Sequence, residues 1–113
     1  MSKLTIKKYQ EYLENLYKNR NNDQGLFIKL VEEIGEVAEQ ISIRDGRKDG
    51  DKEAVIEELG KELADVIHYT IAIAGVNGID LEKVILEKDL SAVIKYQHST
   101  NLMEYIEQTA KND

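Results

Sequence analysis

Three features of the sequence predict an all-α fold. Proline is absent, and Ala, Leu, Glu, Lys and Ile dominate, a composition that favours helix. Apolar residues recur at three- and four-residue spacing through most of the chain. Short polar stretches rich in Gly, Asn and Asp separate those segments and supply turns. The expected architecture is a four-helix-bundle-type core of antiparallel helices in one domain over residues 1–113, completed by oligomerisation.

Segment 4–19 places Leu4, Ile6, Tyr9, Tyr12, Leu13, Leu16 and Tyr17 at amphipathic spacing and reads as the first helix. "NRNNDQG" is turn chemistry, with Asn22 or Asp23 as candidate cap for a second helix over about 24–43. "RDGRKDGD" has two glycines and no apolar residue, so it is expected to be an exposed connection. A third helix is expected over roughly 52–75, closed by the "GVNG" turn. Asp80 caps a fourth, "LEKVILEKDLSAVIKY", and Ser99 or Thr100 is the candidate cap of a short last helix through about 110.

Charge and composition exclude several classes of function. Acidic residues number 22 against 15 basic, a net charge of −7, which repels nucleic-acid backbones and anionic membranes. No cysteine is present, so neither disulfides nor thiolate metal sites can form. The N-terminal stretch lacks the apolar core of a signal peptide, and no apolar run approaches the ~18 residues of a membrane span. A cytoplasmic protein without nucleic-acid or membrane partners is the expectation.

The chemistry concentrates in "KLVEEIGEVAEQ" and "EELGKELADVIHY". At about 100° per residue, Phe27, Leu30, Val31, Ile34, Val37, Ala38 and Ile41 span about 140–260° from Glu32. Glu33 sits on the shoulder of that face, and Glu36 lies about 60° farther out. The third helix repeats the pattern, with Glu62 on the shoulder of its apolar stripe and Asp65 about 60° beyond. Antiparallel packing through the apolar faces would point four carboxylates into one cleft. Two such charges about 5 Å apart cost roughly 3 kcal/mol at an effective dielectric near 20, so a cation is wanted. Oxygen-only ligands suit Mg²⁺ or Mn²⁺ rather than zinc. The alternative is a solvated face, in which neighbours such as Lys29 and Glu33 are surface electrostatics.

"EEIGE", followed 25 residues later by "ELAD", resembles the E-E-x-x-E … E-x-x-D signature of the MazG-like nucleotide pyrophosphohydrolases, of the all-α NTP pyrophosphatase superfamily. "VIHYTIAIAGVNGIDLEKVILEK" is similar to that family's continuation, so the resemblance covers about residues 5–95. It implies Glu33, Glu36, Glu62 and Asp65 as Mg²⁺ ligands, and a supporting or water-orienting role for Glu32 beside Glu33 at the catalytic step. Lys88 matches the family's phosphate-approaching lysine. Ala92 and Lys95 stand where many members carry Asn and Arg, a departure that leaves Lys95 as the substrate-binding candidate there. The basic loop residues Arg44, Arg47, Lys48 and Lys52 are expected to be solvated rather than to attract triphosphate.

His68 forms D-x-x-H with Asp65, the carboxylate–histidine spacing of di-iron bundles. Those sites need the element on two helices, and the other histidine, His98, falls in an expected turn. His68 also points away from the Glu62–Asp65 shoulder, which favours a packing or interface role. Tyr9, Tyr12 and Tyr69 are candidates to stack on a base.

The activity implied is Mg²⁺-dependent hydrolysis of a nucleoside triphosphate at the α-phosphorus, giving monophosphate and pyrophosphate. Phosphoribosyl-ATP pyrophosphohydrolase is the alternative within the superfamily, and a non-catalytic metal-binding helical oligomer the alternative outside it. Ala64 and Ile71 lie near 180–200° on the third helix, off its main stripe, and call for a second packing surface. The resemblance points to a homodimer or homotetramer.

Overall fold

The computed structural model describes residues 2–18 and 23–110, and among them it is all-helical, with no strand. The helices are α1 (Ile6–Leu16), α2 (Gln24–Arg44), α3 (Val55–Val76), α4 (Leu81–Tyr96) and α5 (Leu102–Thr109). The chain divides into two compact units, Met1–Ile79 and Asp80–Asp113.

In the first unit both α1 and α2 pack against α3. Thr5 fixes the start of α1, its Oγ1 accepting from Lys8 N at 3.0 Å, so Leu4 stays outside the helix and exposed. Asp23 precedes α2 but does not cap it with its side chain; its Oδ2 accepts from Asn77 Nδ2 at 2.7 Å. The other candidate, Asn22, lies outside the described residues. That bond joins the start of α2 to the end of α3, so the two helices run antiparallel. α3 begins at Val55 rather than 52 because Asp51 Oδ1 accepts from Glu53 N and Ala54 N, holding 52–54 as a turn. Gly50 passes so close to Ile43 that an added Cβ would lie 2.6 Å from its Cδ1, which lets the exposed connection cover that buried side chain. Gly78 closes the other end at φ +68°, a backbone that glycine adopts freely.

α1 packs against α3 at two levels. Gln10 Nε2 donates to Ile79 O, and Tyr17 near the other end of α1 reaches His68. Leu13, Ile71, Ala72 and Ala74 are buried in this unit. Ile71 therefore needs no partner subunit, contrary to the expectation for its side of the helix, because α1 covers it.

The apolar faces of α2 and α3 meet off-centre. On α2 the half-buried or buried positions include Leu26, Leu30, Glu33, Val37 and Ile41, while Phe27, Val31 and Ile34 remain more than half exposed. On α3, Val55, Leu59, Glu62, Val66 and Ile73 are covered, and Ile56, Leu63 and Ile67 are exposed. Each helix is thus turned towards its carboxylate side relative to the stripe expected from periodicity. The rotation moves Glu33 and Glu62 from the shoulder into the seam.

In the second unit Asp80 caps α4 as expected, its Oδ1 accepting from Lys83 N at 3.2 Å. α4 ends at Gln97, a left-handed residue with φ 55° and ψ 44°. The cap of α5 is Asn101 rather than Ser99 or Thr100: Asn101 Oδ1 accepts from Glu104 N at 2.8 Å. Asp89 Oδ2 accepts from Leu102 N at 2.7 Å and ties the two helices together. Among the described residues no helix is long and apolar enough to cross a membrane.

Candidate metal centre

Helical spacing puts Glu33 and Glu36 one turn apart on α2, and Glu62 and Asp65 one turn apart on α3. The antiparallel seam brings the two pairs together. One carboxylate oxygen from each of Glu33, Glu62 and Asp65 lies within 4.8 Å of the others. Glu36 joins the group through Glu62, whose carboxyl is within hydrogen-bonding reach of both Glu36 and Glu33.

Glu33 and Glu62 are half-buried, and their Oε2 atoms are closed off from solvent without a hydrogen-bond partner. Carboxylates accept but do not donate, so four ionised groups cannot satisfy one another. A proton on Glu62 is one remedy. Hydrogen bonds to Glu36 and Glu33, then desolvation, then the neighbouring negative charges push its pKa up to about 8. A cation is the other remedy.

The solvated-face alternative fails for Glu33 and Glu62. Among the described residues no Lys or Arg makes an ion pair with either. Lys29 turns to Glu32 Oε2 at 3.3 Å, and Lys61 turns to Glu57 and Glu58. Glu32 is exposed, outside the three-oxygen cluster. An all-oxygen set with orphaned buried atoms matches a hard divalent ion, and the residues fit that group.

The remaining candidates separate cleanly. His68 is held by tyrosines, with Nε2 2.8 Å from Tyr17 Oη, Nδ1 3.4 Å from Tyr9 Oη, and edge-on ring contacts to Tyr9, Tyr17 and Tyr69. It locks α1 onto α3, which is the packing role expected. Tyr9 and Tyr69 are therefore engaged with it, while Tyr12 is exposed. The Tyr9 hydroxyl pKa is raised by burial and by the charge of Asp65, which sets this aromatic group beside the carboxylates. Sequence reading did not pair His68 with the tyrosines of α1; Tyr9 and Tyr17, two turns apart on one face, were the available signal.

Arg44 pairs with Asp45 at 2.9 Å and Lys48 with Glu39 at 2.9 Å, so the basic loop neutralises its own neighbours in an exposed setting. Lys88 and Lys95 lie exposed on α4 in the second unit, with Lys95 Nζ 5.3 Å from the centre of the Tyr96 ring.

A family model described as the MazG nucleotide pyrophosphohydrolase domain matches residues 21–90. That span takes in α2, α3 and part of α4, including all four clustered carboxylates and Lys88 but not Lys95. Comparison with curated proteins and with solved structures gives no match.

Proposed function

The chain belongs to the MazG nucleotide pyrophosphohydrolase domain family, and from that premise we propose that it hydrolyses a nucleoside triphosphate to monophosphate and pyrophosphate with the help of a divalent cation. The observation that carries this reading is the pair of buried, partnerless oxygens, Glu33 Oε2 and Glu62 Oε2, inside a three-carboxylate cluster. Enzymes hold such uncompensated groups where a bound species completes them.

Glu33, Glu36, Glu62 and Asp65 would hold Mg²⁺, or Mn²⁺ in its place. When bound, the ion supplies charge neutralisation for the phosphate chain and makes an attacking water more acidic. The four side chains sit on two helices packed against each other, so their carboxylate oxygens keep a fixed arrangement without a mobile loop. Glu32 and Glu33 are assigned the handling of the water's proton. Water oxygen bonds to the α-phosphorus, the bond to the bridging oxygen breaks, and pyrophosphate leaves with that electron pair.

The exposed face formed by Phe27, Val31 and Ile34 with Ile56, Leu63 and Ile67 supports an oligomer. Homodimerisation there would cover it.

The test is a panel of nucleoside triphosphates with and without Mg²⁺, following pyrophosphate release. Metal-dependent pyrophosphate from at least one nucleotide is expected. Absence of turnover across the panel, with Mg²⁺ and Mn²⁺ alike, would overturn the reading in favour of a non-catalytic metal-binding protein.

A further inference from the structure

The cleft between α2 and α3 differs at its two ends. On α2, Lys29, Glu33, Glu36 and Gln40 lie within about 60° of one another, and on α3 so do Glu58, Glu62, Asp65 and Tyr69. Because the helices are antiparallel, Tyr69 falls at the Lys29 end and Glu58 at the Gln40 end. One end therefore carries an ammonium and a phenol. The other carries Glu58, already paired with Lys61 at 3.3 Å.

We propose that Lys29 binds the leaving-group end of the triphosphate, so that the chain lies along the cleft with its α-phosphate at the carboxylates and its terminal phosphates towards Lys29. This rests on the pyrophosphohydrolase reading above and adds the direction of the substrate to it. Lys29 stands four residues from Glu33, about 6 Å along the axis, which is comparable to the length of a pyrophosphate unit. A cation at the carboxylates compensates charge only locally, and the far phosphates need a second positive group. Arg44, at the Gln40 end of the same α2 face, is held by Asp45 at 2.9 Å, which leaves Lys29 as the cation one turn from the clustered carboxylates. Its ammonium feels the charges of Glu32, Tyr69 and Glu33, which agrees with a place at this end of the cleft. Its resting partner is Glu32, an exposed neighbour three residues away, and such pairs exchange readily. A phosphate oxygen offers the ammonium a stronger charge-assisted hydrogen bond.

Calorimetry with Mg²⁺–pyrophosphate and with a nucleoside monophosphate tests this without depending on turnover. The proteins compared are wild type, Lys29→Met, Lys29→Arg and, as a control for overall charge, Lys61→Met. All three changes fall on exposed side chains, and circular dichroism verifies folding. Lys29→Met is expected to weaken pyrophosphate binding about tenfold, Lys29→Arg to restore most of it, and Lys61→Met to leave it unchanged. Monophosphate binding should be the same in all four. Unchanged pyrophosphate affinity in Lys29→Met, an equal loss for monophosphate, or an equal loss in Lys61→Met overturns the assignment while leaving the family activity standing. Failure of the wild type to bind pyrophosphate at all overturns both.

Discussion

Loading the metal centre should expel a proton from Glu62. Its carboxyl is pushed up to about 8 by hydrogen bonds to Glu36 and Glu33, so at pH 7 most molecules carry a proton there that a cation must displace. Apparent affinity for Mn²⁺ or Mg²⁺ should therefore rise about tenfold per pH unit from 6 to near 8 and then level off. Isothermal calorimetry at pH 6, 7, 8 and 9, in two buffers of different ionisation enthalpy, measures both affinity and proton release. Close to one proton should leave per ion below pH 7, and release should fall away by pH 9. The same shift governs the metal-free protein. The folded-state pKa lies above the unfolded value near 4.5, so its stabilisation is complete below 4.5 and is lost as pH rises through about 8. The apo melting temperature should fall across that window, and a Glu62→Gln variant should lose this part of the fall. Affinity independent of pH between 6 and 8, with no proton released, would refute the reasoning.

Millimolar Mg²⁺ or Mn²⁺ should raise the melting temperature, because it relieves carboxylate repulsion only in the native arrangement. Glu36→Gln and Asp65→Asn should abolish that rise, and an unchanged rise would remove those residues from the ligand set. Light scattering at micromolar concentration should show an oligomer that Ile34→Asp or Ile67→Asp disrupts; a folded, active wild-type monomer contradicts the assembly. Gln97 sits in the left-handed region at φ 55°, so Gln97→Gly should stabilise by about 1 kcal/mol, and a lower melting temperature would contradict the strain argument.

Helix positions were legible because each is written in local chemistry. Apolar spacing marks α2 and α3, and Asp80 and the "GVNG" turn mark ends that short-range hydrogen bonds enforce. α3 starts at Val55 rather than near 52 because Asp51 accepts from the amides of Glu53 and Ala54, a competition that composition does not reveal. The carboxylates were legible because i and i+3 spacing repeats on two helices. Their degree of burial was not, because it depends on the rotation of α2 against α3, and periodicity gives a stripe without saying which edge of it meets a neighbour. Ile71 and His68 were obscure for a related reason: α1 covers that side of α3, and no single-helix pattern specifies which helix will do so.

The central claim is that water attacks the α-phosphorus of a nucleotide held at Glu33, Glu36, Glu62 and Asp65. Running the reaction in ¹⁸O-labelled water and following it by ³¹P NMR tests this most directly, with Glu33→Gln and Glu62→Gln alongside as variants that keep shape but remove charge. The account predicts label in the monophosphate, unlabelled intact pyrophosphate, no diphosphate at any time, and a collapsed chemical step in both folded variants. Accumulating diphosphate, or label in the pyrophosphate, would contradict it.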